Sequence, residues 1–189
     1  NNETAAASRK PEMAVAATED AAPRARLLNH LGQLRRLNGQ VDQALRCHVE
    51  AETIVQQNGD ARSLAEAWGN LALDYHARRA YNQAESYGQQ AMALFAKLDS
   101  TEKWQATLWN TLGLAALEVH DFTLAETRLQ QSLALWRQLQ QPTQLARVLK
   151  NLGVMWQQQQ NFILAGHCYQ EALQHLAATD SELDKIQVQ

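Results

Sequence analysis

Residues 149–172 read LKNLGVMWQQQQNFILAGHCYQEA, and the same order of large and small side chains occurs three more times upstream. Aligned on the small residue that follows a leucine, the copies place Gly32, Ala72, Gly113 and Gly153 in one column. A second column holds Ala44, Ala84, Ala125 and Ala165, and a third holds Ala51, Ala91, Ser132 and Ala172. The columns step by 40, 41 and 40 residues. A fixed period of this size marks a chain built from one supersecondary unit that buries its apolar face only by stacking on its neighbours.

The first half of each copy carries apolar residues at i, i+3, i+4 and i+7, as in Trp68, Leu71, Ala72, Tyr75 and in Leu149, Leu152, Gly153, Trp156. That is the period of an amphipathic helix. A mid-helix glycine costs about 1 kcal/mol relative to alanine, so its return at one register implies that two helix backbones approach closely there. A second helix opens on Val41, Tyr81, Phe122 or Phe162, with Gly39 suited to end the first helix of the first copy. Between copies, Gly59-Asp60 reads as a stop and an N-cap, Asp99 with Glu102 as a capping box, and Pro142 as a first-turn proline. The pattern predicts helices over 24–38, 41–58, 61–79, 82–98, 101–119, 122–139, 142–159 and 162–178. A ninth, partial helix over 180–189 starts near Asp180, with Leu183 and Ile186 covering the last copy. Residues 1–22 are alanine-rich without repeat anchors and read as a poorly ordered or partly helical segment before a four-copy array over 23–179. The copies span about 24–59, 60–99, 100–140 and 141–179.

Composition narrows the function classes. The net charge is −3, without a basic stripe interleaved with aromatic residues, which argues against nucleic acid. No apolar run reaches the ~18 residues of a membrane span, and no secretory signal is visible. Cys47 and Cys168 lie in the first and last copies, too far apart along a stack to pair, which fits a reducing, cytoplasmic setting. The chain starts without methionine and stops without an end signal, so the expectation is a piece of a longer protein.

Trp68 or Trp109 followed by Leu-Ala or Leu-Gly, then Tyr75 or Trp156, Tyr81/Phe122/Phe162, Ala84/Ala125/Ala165 and Ala91/Ala172, resembles the tetratricopeptide repeat. The resemblance covers about 24–178 and implies an all-α, right-handed superhelical solenoid of four antiparallel helix pairs with a C-terminal capping helix. The period departs from the usual 34 residues, as in the long repeats of kinesin light chains, spindle-orientation adaptors and the sensor arms of bacterial signalling proteins. The extra turn is apolar (Ile54/Val55, Leu94/Phe95, Leu135/Trp136, His175/Leu176) and is expected to pack on the next copy. The first copy departs furthest, with Leu28 for tryptophan and Arg35 for an aromatic residue.

By that resemblance, residues just before the Leu-Gly pair line a concave groove. Asn29, Asn70, Asn110 and Asn151 fall there, and an asparagine can both donate to and accept from the backbone of an extended peptide. Two of them, Asn29 and Asn110, sit one position earlier than the others, and all four also suit bonds between helices. His30, Arg36, His76, Arg147 and Lys150, with Arg26, make this face more basic than the chain as a whole, against Glu118, and so suited to an acidic peptide.

No catalytic motif is present, and no cofactor is implied. Cys47-His48 and His167-Cys168 are adjacent pairs that diverge around a helix and do not converge on one metal ion. The reading is a non-enzymatic module that binds a protein or peptide. A sensor arm of a larger signalling NTPase or transcription regulator is the alternative, and a self-associating scaffold, hence a homo-oligomer, is a second.

Overall fold

The computed structural model describes residues 21–58 and 60–187. Among them the chain forms eight α-helices and no strand: α1 Ala21–Leu37, α2 Val41–Asn58, α3 Ala61–Ala77, α4 Tyr81–Phe95, α5 Glu102–Glu118, α6 Phe122–Gln138, α7 Pro142–Gln158 and α8 Phe162–Gln187. The expected all-α repeat of helix pairs is thus the observed one. The readings placed on residues 1–20 and on Gly59 lie outside the described residues.

Local chemistry accounts for most of the boundaries. Asp60 caps α3 by accepting from the Arg62 backbone N–H at 3.1 Å, and Pro142 occupies the first turn of α7. The turn inside every copy has one design. The second residue after the helix takes a left-handed conformation and donates to the carbonyl three back, while the next residue donates to the carbonyl five back. Gly39 and Gln40 do so in the first copy, Arg79 and Ala80 in the second, His120 and Asp121 in the third, Gln160 and Asn161 in the fourth. Their φ values are 76, 62, 60 and 60°, and only the first residue is glycine. Asp121 and Asn161 then cap the following helix, accepting from the backbone N–H of Leu124 and Leu164.

Three expectations are corrected. The residue preceding α5 is Thr101, without a side-chain cap bond, so Asp99 and Glu102 form no capping box; left-handed Ser100 intervenes. Helix α4 stops at Phe95, three residues short of the expected end. Helix α8 runs on through Asp180 to Gln187, so no separate ninth helix begins there, and the placement of the Leu183 and Ile186 side chains lies outside the described residues.

The helices fall into two compact units, divided between Asp99 and Ser100. In the first, α1 packs on α2, α3 on α4, and the second hairpin stacks on the first through α2–α3 and α1–α3 contacts; α5 to α8 repeat this arrangement in the second. The first core joins Ala25, Leu28, Leu31, Cys47, Ala51, Val55 and Ala67. The second joins Leu129, Leu133 and Trp136 to Leu145, Val148, Leu149 and Leu152. Val55 and Trp136, from the added apolar turns, are buried against the next copy within their units.

The close backbone approach expected at the recurrent glycine is seen at Gly113, where a Cβ would lie 3.3 Å from the Leu129 backbone nitrogen, but side chains are the nearest neighbours throughout the column. A Cβ at Gly32 would collide with the His48 ring, one at Gly153 with the Tyr169 ring, and one at Gly113 would sit 2.9 Å from the Leu129 side chain. Each glycine makes room for the large side chain sixteen residues later. In the second copy the sizes are exchanged: the small-residue position is Ala72, and Gly88 stands where the others carry His48, Leu129 and Tyr169.

Candidate interaction site

The four asparagines turn toward neighbouring helices. All are buried, Asn70 to 1% exposure. In the second unit Asn151 Nδ2 donates to Asn110 Oδ1 at 2.8 Å. The one-position offset noted in the sequence brings α5 and α7 asparagines face to face across the seam. The equivalent atoms in the first unit, Asn29 Oδ1 and Asn70 Nδ2, have no hydrogen-bond partner among the described residues, while Asn70 Oδ1 accepts from Gln33 at 3.4 Å. Buried this way, the asparagines do not line an open groove as a ladder; they belong to the joints between copies.

Two more of the expected groove residues are also engaged within the fold. Arg36 donates to Asp74 Oδ1 at 2.8 Å, and the other oxygen of Asp74 meets His48 Nδ1 at 2.5 Å. The far ring nitrogen of His48 lies 3.2 Å from the Asn29 carbonyl. Asp74 and His48 are fully buried, so this chain of polar groups ties α1, α2 and α3 together. His76 rests against the Tyr81 ring at 5.9 Å. Arg35, where an aromatic was expected, donates to Cys47 Sγ at 3.0 Å; the same two positions in the second copy hold the stacked rings of Tyr75 and Tyr87.

Of the nine residues expected to bind, His30, Arg147 and Lys150 remain exposed. The last two stand on the wall of a groove of about 430 Å³ between α7 and α8, lined also by Thr143, Ala146, Tyr169, Ala172, Leu173 and Leu176. Both helices contribute every third or fourth residue, so the floor is an apolar stripe and the α7 edge is basic. Crowding by the groove wall withdraws water from the Arg147 guanidinium and lowers its pKa from the ordinary value. The groove-lining residues of α8 were missed from sequence because their counterparts in the third copy are core. Leu133 and Trp136, 40 residues before Leu173 and Leu176, are 6% and 5% exposed; Leu173 and Leu176 are 66% and 40% exposed.

The family model for the tetratricopeptide repeat matches residues 23–97 and 104–178, two copies each time. Comparison with curated proteins returns no match. Among solved structures, BtubC (BKLC) from P. vanneervenii is 23% identical with a TM-score of 0.78, covering 94% of this chain and 76% of that one. The nearly identical TPR-like repeats of a Podosopora anserina putative kinesin light chain are 20% identical, with a TM-score of 0.68 over 95% of this chain and 90% of that one. Aspartyl phosphate phosphatase F from Bacillus subtilis is 16% identical, with a TM-score of 0.71 over 82% of this chain but 42% of that chain. These likenesses show a shared fold.

Proposed function

Because the chain belongs to the tetratricopeptide repeat family, whose members mediate protein–protein interactions, we propose that it binds an acidic segment of a partner protein in the groove between α7 and α8. The observation that carries this is the conjunction of an exposed apolar floor at Leu173 and Leu176 with Arg147 and Lys150 on one wall. An apolar groove desolvates part of a ligand, and cations on its edge then select for carboxylates over other polar groups.

The test is selection of a displayed random-peptide library on the wild-type chain, with counter-selection on Leu173→Asp. The substituted side chain is exposed, so helicity should be unchanged. Enrichment of peptides that mix leucine-like residues with Asp or Glu and that fail to bind the variant supports the reading. Enriched peptides held equally well by the variant would move recognition elsewhere.

A further inference from the structure

In the third copy, the surface corresponding to the groove is already occupied. Leu173 and Leu176, the exposed residues of the groove floor, have counterparts 40 residues earlier at Leu133 and Trp136, and both are buried. Helix α7 seals them, contributing Leu145, Val148, Leu149 and Leu152 at i, i+3, i+4 and i+7 to the same cluster. The groove is therefore a repeat-to-repeat joint that lacks its covering helix among the described residues.

The joint differs from its precedent in charge. Asn110 accepts from Asn151 of the covering helix α7, but the residue 40 positions after Asn110 is Lys150, a donor only. Arg147, one turn before it, replaces Thr107. A covering helix with asparagine in the α7 register would direct its amide hydrogens at an ammonium group. A carboxylate at that register accepts from Lys150, and a second, one turn earlier, accepts from Arg147.

We infer that the occupant of this groove is an amphipathic α-helix of a partner protein, seated in the register that α7 takes on the third copy, with Asp or Glu where α7 carries Asn151. The inference rests on the groove-binding reading above and adds the conformation and the register of the ligand.

The probes are dye-labelled synthetic peptides of residues 142–158, which supply the α7 apolar stripe, carrying N151E or N151K. A third carries N151E with V148P, which keeps the charge and breaks the helix. Binding to the full chain is read by fluorescence anisotropy. The N151E peptide should bind at least about tenfold more tightly than N151K, and Lys150→Glu in the chain should invert that order. Leu173→Asp should abolish binding of both, which excludes invasion of the third copy by the probe.

Three results overturn the inference. If the proline-broken peptide binds as well as N151E, the groove takes an acidic segment but no helix, and only the broader reading survives. If N151E and N151K bind alike, Lys150 does not set the register. If no peptide binds and light scattering shows a dimer that Leu173→Asp dissociates, a second copy covers the groove and both readings fall.

Discussion

Asn151 donates its side-chain amide to the side-chain oxygen of Asn110, 2.8 Å away, across the seam between α5 and α7. Both residues are buried, so removing the donor leaves a buried acceptor without its partner. Asn151→Ala is expected to cost about 1–3 kcal/mol. Asn29→Ala, which removes an oxygen that already lacks a partner, should cost less. Urea unfolding of the two variants compares them directly; equal losses would show that the seam bond contributes nothing.

The size exchange around the repeat glycine yields a coupled pair. Gly153→Ala forces a methyl group into the Tyr169 ring and should cost about 1–3 kcal/mol by overpacking. In a Tyr169→Ala background the same change should be neutral, or stabilise by up to about 1 kcal/mol through helix propensity. A double-mutant cycle on thermal unfolding checks this, and an identical effect of Gly153→Ala in both backgrounds would contradict the contact. Gly32→Ala should be the most damaging of the series, because the His48 ring it meets is held at both nitrogens, by Asp74 and by the Asn29 carbonyl.

Asp74 sits fully buried between Arg36 and His48. Removing its carboxylate leaves Arg36 without its buried counter-ion and His48 without a partner on Nδ1, and Asp74→Ala should cost about 3–5 kcal/mol. Asp74→Asn, which still offers an acceptor, should cost less. Denaturant melts monitored at the far-ultraviolet helix band give both values; a loss under about 1 kcal/mol for Asp74→Ala would mean the polar chain is incidental to the α1–α2–α3 joint.

The N-cap of α3 predicts a pH dependence. Hydrogen bonds from Ser63, then from the Ser63 and Arg62 backbones, hold the Asp60 carboxyl below the ordinary aspartate value. A depressed folded-state pKa contributes stability above the unfolded value and loses it as pH falls through the folded one. Asp60→Ala should therefore cost about 1 kcal/mol near neutrality, with the melting temperatures of wild type and variant drawing together as pH falls below the ordinary aspartate pKa near 4. A gap that stayed constant from pH 7 to pH 3 would assign the cap to something other than the carboxylate.

Much of the fold was legible because it depends on patterns that a helix imposes locally. The columns of Gly32 and Ala44, the apolar runs, Asp60 and Pro142 each announce themselves within a few residues, and the helix starts follow them. The left-handed residues Arg79 and Gln160 were not legible, since neither has a side chain that favours that conformation; the turn's two backbone hydrogen bonds impose it. The site was less readable for a related reason. Whether Asn70 faces a groove or a neighbouring helix depends on how α1 and α3 lie against each other, a relation that one helix's periodicity does not contain. Arg147 and Lys150 were picked out by charge, but Leu173 and Leu176 look like core residues until the copy after them is seen to be missing among the described residues.

The alternation of the asparagines gives the array a parity. Asn29 and Asn110 stand three residues before their anchors, Asn70 and Asn151 two before theirs, so copies one and three are of one kind and copies two and four of another. The asparagine pattern repeats every 81 residues, the same spacing that separates the two family-model matches at 23–97 and 104–178. Excising two consecutive copies leaves every odd–even joint of matched kind. Excising copy four alone removes the donor from which Asn110 accepts. A chain shortened by its first two copies keeps the Asn110–Asn151 seam bond, whereas one shortened by its fourth loses it.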